Sequence, residues 1–131
     1  MSVGKTSSFY YGGGCVEVTF STCGATVSDT KWGKYGPAHF FDWHSWKVFI
    51  EDAVRGEYDF TQLTYGESMQ SHPHGPIVER RGDERIEMRH PETRDILWFD
   101  QCEWDAFIEG VKAGEFSRSA LEEHAAVQYH A

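Results

Sequence analysis

Histidine is the residue type in this sequence that is best suited to chemistry, because it binds metals and acts as a base near neutral pH. The densest group is His72-Pro73-His74, with His90 further along the chain. A zinc site needs four ligands, typically spaced as CxxC or HxxxH, and these histidines follow neither pattern. We therefore predict no metal ligand and no cofactor.

Cysteine and serine are the candidate nucleophiles. Cys15 and Cys23 flank a predicted hairpin, and Cys102 falls in the first turn of a predicted helix, where a thiol can become reactive. The odd number of cysteines and the lack of an apolar secretory segment after Met1 favour reduced thiols and a cytoplasmic protein. Serine, histidine and aspartate are all present, but no nucleophile elbow accompanies them. We predict no catalytic residue and no enzymatic activity.

Two glycine-containing segments resemble phosphate-binding loops only in part. Gly4-Lys5-Thr6 has the end of the P-loop pattern but lacks the earlier glycine and the preceding strand. The glycine run at 12–14 precedes a strand instead of the helix N-terminus that would hold a phosphate. Neither segment predicts a nucleotide site.

An aromatic group is the alternative binding candidate. Trp32, Tyr35 and Trp43 lie off the predicted helix face, and His39 or His44 could supply a polar group beside them. They could line a pocket in a small-molecule-binding module or in an unrecognised enzyme. The simpler interpretation is an aromatic loop packed on a sheet.

A duplicated helix positions these residues. Residues 40–58 match residues 98–116 at an offset of 58, with eight identities in 19 aligned positions. In each copy an aspartate provides the N-cap, and a glycine follows the helix. An aromatic residue before the aspartate packs against a tryptophan of the helix as a hydrophobic staple. Helices are predicted at 43–55 and 101–113. The residues predicted to have structural roles are Asp42, Trp46, Phe49 and Gly56 in the first copy, and Asp100, Trp104, Phe107 and Gly114 in the second.

Alternating segments before each helix predict strands. We expect an α+β protein with two repeats of a small antiparallel three-stranded sheet followed by one helix. The repeats span 1–65 and 66–131, and they pack as a pseudo-two-fold pair, so that the chain is a monomer with an internal pseudo-dimer. Residues 68–75 are predicted to form a loop, and residues 120–128 a short helix or a frayed tail.

Charge is unevenly distributed along the chain. The net charge is −9, of which residues 1–65 contribute −2 and residues 66–131 contribute −7. Such acidity disfavours direct nucleic-acid binding. The basic residues between 80 and 89 alternate with glutamates, which is typical of a solvated strand face. No apolar run reaches the length of about 18 residues that a membrane span requires.

Several short motifs together resemble one known family. They are Ser7-Ser8-Phe9, the glycine run followed by Cys15-Val16-Glu17-Val18, Val27-Ser28-Asp29-Thr30-Lys31, Gly36-Pro37, Trp46-x-x-Phe49 and Gly56-Glu57-Tyr58. In this order they are similar to the actinobacterial "domain of unknown function 397" family over residues 5–60. Residues 76–117 resemble a second, more diverged copy.

This resemblance implies a regulatory or adaptor protein. Members of the family are small, often acidic, and commonly encoded beside Xre-type helix-turn-helix transcription regulators. They are associated with development and antibiotic production, and some pairs resemble toxin–antitoxin systems. The resemblance therefore implies such a regulator as the protein partner. We predict that the acidic second half contacts it through Glu103, Asp105 and Glu109 on the second helix.

Overall fold

The chain folds into eight strands, three α-helices and two short 3-10 helices in a computed structural model that describes residues 4–9, 16–82 and 84–130. Cys15 and the glycine run lie outside the described residues, as do the side chains at 34, 35 and 128–130. The elements are β1 Lys5–Thr6, β2 Val16–Phe20, β3 Gly24–Asp29, the first 3-10 helix Thr30–Tyr35, β4 Ala38–Asp42, α1 Trp43–Val54, the second 3-10 helix Phe60–Gln62, β5 Ser68–Gln70, β6 Ile77–Arg81, β7 Arg85–Arg89, β8 Ile96–Asp100, α2 Gln101–Lys112 and α3 Arg118–His130.

Each half contributes one antiparallel sheet whose strands follow chain order, β1-β2-β3-β4 and β5-β6-β7-β8. The registers correspond, since Val18 lies opposite Val27 in the first sheet as Val78 lies opposite Met88 in the second. The α+β prediction is confirmed, but three strands in each half is wrong because each sheet has four. The strands that sequence analysis missed, β1 and β5, are too short to show an alternating pattern. Part of the loop predicted at 68–75 is therefore strand.

The two duplicated helices begin at the predicted aspartates. Asp42 accepts a hydrogen bond from the backbone in the first turn of α1, and Asp100 forms a complete capping box with Glu103 in α2. Gly56 and Gly114 follow the helices with φ of 90° and 81°, the left-handed conformation that favours glycine. Each helix ends one residue earlier than its predicted span.

A reciprocal pair of hydrogen bonds joins the two halves in one core. The indole nitrogen Nε1 of Trp46 donates to the carbonyl of Phe116 over 2.9 Å. Nε1 of Trp104 donates to the carbonyl of Tyr58 over 2.8 Å. The two donors are 58 residues apart in sequence, and so are the two acceptors. Each half therefore binds the other through equivalent atoms. Both bonds are buried and satisfy groups that are costly to leave unpaired.

Aromatic rings surround this exchange in a matching arrangement. Phe49 of α1 stacks on Phe107 of α2 with ring centroids 6.4 Å apart. The predicted staple residues Phe41 and Phe99 lie 6.3 Å and 6.4 Å from the tryptophans of their own helices. Ring stacking of this kind adds stability beyond the burial of area.

Helix α3 is not repeated as a helix at the corresponding residues 60–72, of which 60–62 form a three-residue 3-10 helix and 68–70 form β5. Ser117 caps α3, because its Oγ accepts from the backbone N–H of Ala120 over 3.2 Å. Leu121 is buried in the common core, and α3 packs against β2. The predicted short helix is therefore real but begins two residues earlier and runs on to residue 130.

Candidate functional site

A crevice of about 280 Å3, which we call the α2 crevice, lies along α2 where the chain leaves the first half. Asp105 and Glu109 stand one helical turn apart on α2, and Asp59 faces them from the segment that follows α1. Phe60 and Ile108 also line the crevice but are themselves buried. The residues lining the crevice are Asp59, Phe60, Thr61, Gln101, Asp105, Ile108, Glu109 and Lys112.

Negative charge is concentrated in the α2 crevice. Burial raises the pKa of Asp105, and the neighbouring charges of Asp59 and Glu109 raise it further, against a hydrogen bond with Gln101. Lys112 Nζ lies 2.9 Å from Oδ1 of Asp59 and 3.0 Å from Oδ2. Carboxylates one turn apart on a helix repel each other. An added cation would therefore be bound favourably here.

Sequence analysis predicted Asp105 and Glu109 as contact residues but missed Asp59. Asp105 and Glu109 are both exposed, and they line the crevice together. Asp59 lies in the connection between the halves, and only the packing of that connection on α2 brings it to the same place. Its position before a 3-10 helix was the sole local signal.

Glu103 is not on the exposed surface, and this part of the prediction is wrong. Only 3% of the surface of Glu103 is exposed to solvent. Its carboxylate accepts from the backbone N–H of Asp100 and pairs with Lys31 Nζ at 2.6 Å. Burial lowers the pKa of Lys31, but hydrogen bonds to Glu103 and Asp29 outweigh it, so this pKa is raised. Glu103 thus links the two halves instead of facing a partner.

Two arginines of the second sheet, Arg81 and Arg85, are held against neighbouring side chains. Arg81 Nη1 lies 2.5 Å from Glu79 Oε2, and its Nε lies 3.7 Å from Glu87 Oε2. Both glutamates are buried, so the prediction of a fully solvated face is wrong for them. Arg85 stacks 4.2 Å above the centre of the Trp98 ring. Paired and stacked in this way, these arginines offer little free positive charge to a phosphate backbone.

The aromatic pocket predicted around Trp32 and Tyr35 is not assembled in the described part of the structure. Trp32 is exposed on the first 3-10 helix, and the Tyr35 side chain lies outside the described residues. His39 is buried in the core. Only Trp43 and His44 line a common cavity.

That cavity, which we call the α1–α3 groove, has a volume of about 630 Å3. The Trp43 indole is half-buried there, with its ring tilted by 35° against that of Phe20 and its Nε1 donating to the carbonyl of Ser21 over 3.2 Å. The α3 side of the groove was not predicted, because the sequence indicated a short helix at 120–128 but not its position beside α1. The lining residues are Trp43, His44, Trp46, Lys47, Ile50, Glu51, Ser117, Arg118, Ser119 and Glu122.

Ser45 and His72 form a hydrogen-bonded pair that superficially resembles a catalytic dyad. The distance from Ser45 Oγ to His72 Nδ1 is 3.2 Å. The same Nδ1 accepts from the backbone N–H of His74 over 3.1 Å, and Ser45 is completely buried. A nucleophile must reach its substrate. The pair instead fixes the loop at 71–75 on the first turn of α1.

No family model, curated protein or solved structure matches this chain. Across residues 4–9, 16–82 and 84–130, no helix is long and apolar enough to cross a bilayer. The same residues include no group of three or more histidine, cysteine, aspartate or glutamate side chains placed to hold a metal ion.

Proposed function

We propose that this protein is a non-enzymatic adaptor that binds an Xre-type helix-turn-helix transcription regulator through the α2 crevice. The observation that carries the proposal is the convergence of Asp59, Asp105 and Glu109 in one crevice. A lysine or arginine of the partner suits this arrangement, because its charge can pair with the exposed carboxylates of Asp105 and Glu109.

Overall charge supports the same partner class. The chain carries a net charge of −9, and DNA-binding domains are typically basic. Opposite charges accelerate encounter more than they deepen affinity. The family resemblance supplies the kind of regulator. In this scheme the adaptor changes the activity of the regulator without touching DNA.

The proposal includes a pseudo-two-fold relation between the halves, with a four-stranded sheet and one helix as the repeated unit. The reciprocal bonds of Trp46 and Trp104 support such an axis between α1 and α2. A symmetric dimer would present two identical crevices. Because the halves differ in sequence, this chain does not present two identical crevices.

Co-purification with Xre-type regulators from the same genome tests the proposal. The parent protein should retain its regulator and should alter the gel shift of that regulator on its operator. The variant D105N/E109Q should lose both effects. The control E67Q/E123Q removes the same charge from two exposed residues outside the crevice and should behave as the parent. Equal retention by all three proteins would count against the crevice.

A further inference from the structure

The α2 crevice and the α1–α3 groove occupy corresponding places in the two halves. Subtracting 58 from crevice residues 101, 105, 108 and 109 gives groove residues 43, 47, 50 and 51. Adding 58 to crevice residues 59, 60 and 61 gives groove residues 117, 118 and 119. Seven of the eight residues that line the crevice thus have a counterpart in the groove. Duplication has produced the same site twice.

The groove has positive side chains at two places where the crevice has none. Where the crevice has Asp105, the groove has Lys47, and where the crevice has Phe60, the groove has Arg118. The isoleucine and the glutamate of the duplicated helix are retained in both. The crevice is therefore suited to a cation, and the corresponding end of the groove to an anion.

The floor of the groove has also changed. Trp43 replaces Gln101 of the crevice, and with Trp46 and Ile50 it gives the groove a broad apolar floor. The Arg118 guanidinium lies 5.3 Å from the centre of the Trp43 ring. Volumes of about 300–1,000 Å3 are typical of small-molecule sites, and the groove, at about 630 Å3, falls within them.

We propose that the α1–α3 groove binds a small aromatic carboxylate. The flat apolar body of the ligand lies on the indole of Trp43, and its carboxylate is held between Arg118 and Lys47. The N-terminus of α3, which begins beside them, adds partial positive charge at the same end. Arginine is well suited to bidentate recognition of a carboxylate.

The other end of the groove limits the ligand to one negative charge. Glu51 and Glu122 each follow the cations by one turn on their own helices, and both line the groove. A second anionic group there would be repelled. The far end of the ligand is therefore neutral or carries a hydrogen-bond donor such as a hydroxyl. This site is independent of the adaptor proposal, since it shares no residue with the crevice.

Titration of the full-length protein with 2-naphthaleneacetate and with 2-(2-naphthyl)ethylamine tests the proposal. Calorimetry measures affinity, and NMR follows the indole N–H of Trp43, assigned with the variant W43F. The carboxylate should bind and shift that resonance, whereas the amine, which has the same apolar body, should not bind. The variant K47Q/R118Q should bind the carboxylate about 10-fold more weakly, the typical result of losing charge-assisted hydrogen bonds.

Two controls separate this site from the rest of the surface. R55Q/R94Q removes the same charge from two exposed arginines outside the groove and should keep the parent affinity. D105N/E109Q should also keep it, whatever its effect on the regulator. Equal binding of the amine, unchanged affinity in K47Q/R118Q, or no binding of the carboxylate to the parent would each overturn the proposal. Thermal melts of all variants confirm that these exposed substitutions leave the fold intact.

Discussion

The indole nitrogens of Trp46 and Trp104 are buried, and each donates to a carbonyl of the other half. Phenylalanine at either position keeps an aromatic ring but leaves a buried carbonyl without its donor. We expect Trp46→Phe and Trp104→Phe each to cost about 1–3 kcal/mol of unfolding free energy. Alanine at either position should cost roughly 3–5 kcal/mol. Urea unfolding measures these values, and variants as stable as the parent would refute the shared core.

His39 makes stability dependent on pH. Burial lowers its pKa to about 4, with a further lowering by the neighbouring His90 and an opposing effect of Asp95. The unfolded chain therefore takes up the proton first, near pH 6.5. The stability that this histidine contributes is complete above that pH and is lost as pH falls towards 4. The loss should reach roughly 3 kcal/mol.

Unfolding measured between pH 7 and pH 4 checks this expectation. The variant His39→Leu lacks the titrating group, so its stability should fall less over the same range. If the parent and His39→Leu lose stability in parallel, His39 is not the group responsible.

The side-chain roles that the sequence predicted are those set by near neighbours in the chain. Asp42 and Asp100 cap their helices because capping needs only the next three residues. The burial of Glu103 could not be predicted from its neighbours in the chain. Its partner Lys31 is 72 residues away and reaches it only through the packing of the halves.

At the level of elements, two positions of the second half favour glycine for different physical reasons. Gly114 follows α2 with φ of 81° and open space where a Cβ would lie. Gly110 is inside α2, and a Cβ there would lie 2.7 Å from the Phe116 ring and 2.8 Å from Ser7 Oγ. The first glycine is required by the backbone, and the second by the close packing of another segment.

Alanine substitutions separate these reasons. Gly114→Ala should cost about 1 kcal/mol, because only the left-handed backbone disfavours the new residue. Gly110→Ala gains about 1 kcal/mol of helix propensity, but overpacking costs roughly 1–3 kcal/mol, so the net effect is destabilising. Urea unfolding of both variants decides the point. A stabilised Gly110→Ala would show that β1 and its following turn do not pack tightly on α2.

Helices with strong local signals were predictable, and elements defined by their partners were not. α1 and α2 carry caps, staples and an apolar face within 12 residues each. β5 is a strand only because it pairs with β6. α3 is amphipathic only weakly, and its burial depends on the surface that β2 offers. The charged residues of the α2 crevice were partly predicted, whereas its shape and the α1–α3 groove required the tertiary structure.

At the scale of the whole molecule, duplication and divergence explain the arrangement of the two cavities. Equivalent hydrogen bonds keep the halves together, so the core is constrained to remain symmetric. The exposed residues that line the two cavities lie outside that core and have been free to change. One cavity has become acidic, and the other has gained an aromatic floor and two cations beside two glutamates. A single chain therefore offers two different surfaces where a symmetric dimer would offer the same surface twice.

The uneven charge of the chain follows the same division. The second half carries −7 of the net −9, and the acidic crevice lies on its helix. Exposed charges are screened over about 8–10 Å at physiological ionic strength. Binding that depends on the crevice should therefore weaken as salt is added, and the loss should be found mainly in the association rate.

The most direct test of the adaptor proposal is the association rate with the regulator at two salt concentrations, for the parent, D105N/E109Q and E67Q/E123Q. The parent and the E67Q/E123Q control should associate rapidly at about 50 mM salt and several-fold more slowly at about 200 mM. D105N/E109Q should associate slowly at both, with little dependence on salt. A D105N/E109Q variant that associates like the parent at both concentrations would contradict the proposal.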